Sequence, residues 1–87
     1  MSDPIELRAL EQKWAAEVKQ SKLRLEFCRF YVKQMHSLAV DAPAPEGGYA
    51  YRNALKSERL ALAEYSRKLR IYSDLIVYRK VPQEERP

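Results

Sequence analysis

Every strong helix breaker in this chain lies at an end or in one central segment. The only glycines are Gly47 and Gly48, and the prolines are Pro4, Pro43, Pro45, Pro82 and Pro87. Glycine and proline interrupt helices because one leaves the backbone too free and the other lacks an N–H and clashes with the preceding turn. The chain is therefore punctuated as two long pieces, and their hydrophobic spacing shows what those pieces are.

The second piece carries Leu55, Leu62, Leu69 and Ile76 at seven-residue intervals, with Tyr51, Tyr65 and Tyr72 four residues before Leu55, Leu69 and Ile76. Spacings of three, four and seven gather side chains on one helical face, so this is an amphipathic helix of about residues 49–81. The first piece, about residues 4–40, opens with an N-cap at Asp3, a proline at the first helical position and Glu6 three residues on, a capping-box pattern. Its core stripe is a heptad in two registers, Leu7, Trp14, Ser21, Cys28, Met35 and Val18, Leu25, Val32, Ala39. Residues 41–48 form the loop, and 82–87 a frayed tail of a single domain spanning 1–87.

Folded back antiparallel, facing residues should have numbers adding to a constant, and 90 suits nearly every layer. It sets Trp14 against Ile76, Val18 against Tyr72, Leu25 against Tyr65, Cys28 against Leu62 and Met35 against Leu55. Ser21 then meets Leu69, small against large. Glu58, opposite Val32, is the exception within the seam, either a half-exposed carboxylate near a tyrosine or arginine or a polar device that fixes register. Glu11 meets Arg79 in the outermost layer. The fold class is all-α: a long, coiled-coil-like antiparallel two-helix hairpin.

A hairpin covers one side of each helix. Leu23, Phe27, Phe30, Tyr31, Leu38, Leu60, Ile71, Leu75 and Tyr78 fall outside the seam, where each large apolar side chain forgoes roughly 1.5–3 kcal/mol of burial. The simplest remedy is a homodimer closing into a four-helix bundle, and the other is a groove on a different protein. At 87 residues the chain is near the size where one core is marginal, which strengthens the need for a partner.

Charge adds a second theme. Net charge is +4 with 32% charged residues and a pI of about 9.3. Arg52, Lys56 and Arg59 crowd the start of the second helix, against its dipole, and the hairpin brings Arg29, Lys33 and His36 to the same level. Arg67, Lys68 and Arg70 extend this surface. The ordinary reading is a solvated face, and the functional one is an anion or nucleic-acid patch made by Arg29, Lys33, Arg52, Lys56 and Arg59.

Nothing in the sequence assembles a reaction centre. Cys28 falls on the core stripe and His36 on the polar arc of one helix, with neither a triad nor the three or four convergent ligands of a zinc site. There is no Glu-x-x-His pattern and no glycine-rich phosphate loop. No enzyme activity, cofactor, metal or small-molecule substrate is expected. One cysteine excludes an internal disulfide and suits a reducing compartment. No basic-then-apolar segment opens the chain, and no apolar run approaches the roughly 20 residues of a membrane span, so a cytoplasmic location is expected.

The two-helix plan is similar to that of small dimeric RNA-binding regulators of plasmid copy number, in architecture without shared motifs. Leu62-Ala63-Glu64-Tyr65 and Tyr78-Arg79 after a proline turn also resemble type III secretion needle subunits. In that family the motif follows the turn more closely and the chain continues further beyond it. The expected function is a non-enzymatic protein–protein interaction module, an adaptor, subunit or small regulator. The alternative is a small basic RNA- or DNA-binding regulator.

Overall fold

Long stretches free of breakers become two long helices. In the computed structural model, which describes residues 4–41 and 45–85, α1 runs Pro4–Asp41 and α2 runs Pro45–Tyr78. A 3₁₀ turn, Gln83–Glu85, follows. The 38 residues of α1 account for a length of about 57 Å at 1.5 Å per residue, close to the 59 Å long axis of the molecule. The other two extents are 18 Å each, the section of two helices side by side. Among the described residues there is no strand, and the helices pack against each other as a hairpin.

The helix boundaries differ from the expected ones at both ends of α2. α2 begins at Pro45 rather than about 49: proline suits a first turn, where its missing N–H would have no intrahelical partner. Gly47 and Gly48 are thus helical, and nothing lies within 4 Å of where a Gly48 Cβ would be. The middle of the expected loop (42–44), and the N-cap Asp3, lie outside the described residues. α2 ends at Tyr78 rather than at about 81, because Arg79 takes a left-handed backbone with φ 53° and turns the chain. Lys80 N–H donates to the Asp74 carbonyl at 3.3 Å across this turn. The residues beyond are folded onto the hairpin rather than frayed. Pro82 is buried, and Glu85 N–H donates to the Pro82 carbonyl at 3.0 Å.

The core is thin. Trp14, Leu25, Ala54, Ala61 and Leu75 are its buried apolar members, with Ser21 buried among them, its hydroxyl donating to the Val18 carbonyl at 2.9 Å. On α1 the inner face is the two-register stripe: Val18, Cys28, Val32 and Met35 are half-buried around Trp14 and Leu25. On α2 it is turned by about one residue, or 100°, from the leucine line. The innermost line is Ala54, Ala61, Lys68 and Leu75. Leu55 is half-buried, while Leu62, Leu69 and Ile76 are 42%, 39% and 43% exposed on the flank. Tyr51, Glu58, Tyr65 and Tyr72 are half-buried between the two lines. Alanine lets two helices approach closely, and this favours the Ala54–Ala61 line over the bulkier leucine line at the centre. The buried positions of α2 consequently lie one residue before the expected ones: Ala54, Ala61 and Leu75 are buried, whereas Leu62, Leu69 and Ile76 are not.

Candidate interaction surfaces

Two helices in contact leave two long grooves, one on either side of the seam. The first is lined by Glu17, Arg24, Tyr31 and Leu38 of α1, which share a seven-residue line, and by Ser57, Glu64 and Ile71 of α2. Here most of the carboxylates are paired. Lys68 Nζ lies 2.7 Å from Glu17 Oε2 and 3.5 Å from Glu64 Oε1. Arg67 reaches Glu64 at 2.9 Å and, across the returning tail, Glu84 at 2.6 Å. Lys13 of α1 pairs with Glu85. The hydrogen bond from Lys68 holds the Glu17 carboxyl below the usual range and raises the Lys68 ammonium above its own. Arg67 likewise lowers Glu64, and Glu64 raises Arg67.

This set joins α1, α2 and the tail. Between α2 and the tail lies a groove of about 610 Å³, walled by Arg67, Ile71, Asp74 and the chain from Lys80 to Glu84. Nearer the loop end a smaller hollow of about 320 Å³ is lined by Arg24, Cys28, Ser57, Leu60, Ala61 and Glu64. Leu60 of its lining is 65% exposed, and Phe27, Phe30, Leu38 and Tyr31 of α1 are 69%, 58%, 54% and 43% exposed.

The expected outer-face residues do not all share one fate. Leu23, Phe27, Phe30, Tyr31, Leu38, Leu60 and Tyr78 are exposed. Ile71 is half-buried beside the tail, and Leu75 is fully buried in the seam, so it belongs to no outer surface. The turn of α2 about its axis that moved the leucine line outward is what carried Leu75 inward.

The second groove lies on the other side. Leu62, Leu69 and Ile76 form its floor with Leu55, and the rings of His36 and Tyr51 meet across its loop end, 5.4 Å apart. Helical phase sets Arg29 and Lys33 on the α1 bank and Arg52 and Arg59 on the α2 bank, whereas Lys56 points to the back of α2. All five are exposed, and none is ion-paired to a described carboxylate. Cys28 and His36 fall on different sides of the seam, Cys28 in the first groove and His36 in the second.

Two features escaped the sequence reading. The position of Lys68 was visible in its seven-residue line with Ala54, Ala61 and Leu75, all innermost. The acidic pair Glu84-Glu85, just past a proline, was the only sign that the tail returns to basic Lys13 and Arg67. Among the described residues no helix is long and apolar enough to cross a membrane. No protein-family model, curated protein or solved structure matches the chain.

Proposed function

We propose that this protein is a non-enzymatic interaction module, a small adaptor, subunit or regulator that works as a homodimer closed into a four-helix bundle. One observation carries the reading. The hairpin exposes 6999 Å², against about 5300 Å² for a compact monomer of 10.2 kDa. The excess of about 1700 Å² per chain falls in the range of obligate homodimer interfaces, which bury 2000 Å² or more in total. The radius of gyration says the same: 18.0 Å, where a compact chain of this length has about 12 Å.

The aromatic face is the surface for that contact. Phe27 and Leu60 project beside the hollow at Cys28 and Ala61, which gives a two-fold contact a knob and a hole on the same patch, as an isologous interface requires. The single reduced Cys28 is compatible with a cytoplasmic setting. Sedimentation at micromolar concentration tests the proposal. The native chain is expected at about twice 10.2 kDa, and Phe27→Glu at the single mass with its helical circular dichroism retained. A native chain that stays monomeric would sink the dimer. The unpaired cations of the second groove favour a different reading, a small basic RNA- or DNA-binding regulator, whose binding would weaken steeply with salt.

A further inference from the structure

We infer that the second groove is a docking site for an acidic amphipathic helix of another protein, a function that goes beyond dimerisation and does not rest on it. Leu55, Leu62, Leu69 and Ile76 repeat every two helical turns along about 32 Å. A ridge with that period, beside a second helix, is a floor on which a third helix can lay an apolar stripe of its own.

The banks specify what flanks that stripe. Lys22, Arg29 and Lys33 rise from α1, and Arg52 and Arg59 from α2, with only Glu26 and the half-buried Glu58 as carboxylates among them. None of these five cations is paired with a described carboxylate. Across the molecule, by contrast, Lys13, Arg67 and Lys68 are all held by glutamates. Unpaired positive charge therefore stands beside the exposed leucines. Lysine and arginine stems can line an apolar groove while their heads stay in water, where they meet carboxylates on a partner.

A second copy does not fit. Its own leucine groove would bring like charge to like charge across a two-fold axis. Its opposite side carries balanced charge, with its glutamates already engaged by Lys13, Arg67 and Lys68. A nucleic acid would use the cations and leave the leucine ridge with nothing to cover it, so protein is favoured.

Fluorescence anisotropy with the full-length protein tests this. The probes are two synthetic six-turn amphipathic peptides that share one leucine stripe, flanked by glutamate in the first and lysine in the second, and a DNA duplex and an RNA hairpin. The glutamate peptide is expected to bind at least about tenfold more tightly than the lysine peptide. Charge reversal at Arg29→Glu and Arg59→Glu is expected to invert that order. The double change Leu62→Ser and Leu69→Ser, at exposed positions that leave the hairpin folded, is expected to weaken the glutamate peptide by at least tenfold. Equal binding of the two peptides, or no binding of the glutamate peptide at about 100 µM, overturns the proposal. So does tight binding of either nucleic acid that charge reversal abolishes and the serine changes leave intact. Sedimentation of the same samples separates this from dimerisation: a monomer that still takes the glutamate peptide removes the dimer alone.

Discussion

Lys68 holds a position that its charge would ordinarily forbid, on the innermost line of α2 with Ala54, Ala61 and Leu75. Its side chain is only 17% exposed, and it is tolerated because the ammonium emerges between Glu17 and Glu64. The pairing links stability to pH at both ends. The carboxyl of Glu17 titrates below its ordinary 4.5 in the folded chain, so the stability it adds is complete above 4.5 and lost as pH falls through that lowered value. Lys68 is raised above 10.5, so its share is complete below 10.5 and lost as pH rises through the raised value. Thermal melts followed across the pH range are expected to show Glu17→Gln flattening the acid limb. Lys68→Met is expected to flatten both limbs without lowering the neutral-pH midpoint, since an apolar side chain of similar length suits the seam. A neutral midpoint that drops on Lys68→Met would instead make the ion pair a net stabiliser.

The two helices differ in how far sequence revealed them. On α1 the stripe through Trp14 and Leu25 was legible, because its inner line is also its most apolar one. On α2 the seven-residue period was legible but its phase was not. Three neighbouring lines repeat every seven residues: the leucines, the tyrosines with Glu58, and the line of Ala54, Ala61, Lys68 and Leu75. Hydrophobicity ranks the leucine line first, whereas close approach of the helices ranks the alanine line first. This reversal has a measurable consequence. Enlarging Ala61 to leucine forces extra volume into the seam and is expected to cost about 1–3 kcal/mol. Leu62→Ala removes a side chain that is already 42% exposed and is expected to cost about 1 kcal/mol or less. Urea unfolding of the two variants decides which line is inside, and a larger loss for Leu62→Ala would return the leucines to the seam. The aromatic face was legible in the same partial way: Phe27 and Leu60 could be read as surplus, but the Cys28–Leu60 hollow beside them needed the register. The tail contacts depend on the left-handed turn at Arg79, which no periodicity announces.

At the scale of the molecule, a rod of 59 by 18 by 18 Å cannot hide much apolar surface however well its seam is packed. Among the described residues the two helices bury only five apolar side chains between them, and two of these are alanines. In the proposed dimer, whatever covers the aromatic face adds to the stability of the hairpin, which couples association to unfolding. For a dimer, unfolding and dissociation are one equilibrium, and each tenfold rise in concentration adds about 1.4 kcal/mol per dimer by mass action. For two chains of 87 residues unfolding together, that corresponds to a rise in melting temperature of about 4 °C per decade of concentration. Calorimetry over two decades is expected to show this slope in the native chain and its disappearance in Phe27→Glu, with a lower midpoint. A midpoint independent of concentration in the native chain would mean that the hairpin is stable alone. The aromatic face would then be reserved for a different protein, and both sides of the rod, not just the basic one, would be surfaces for partners.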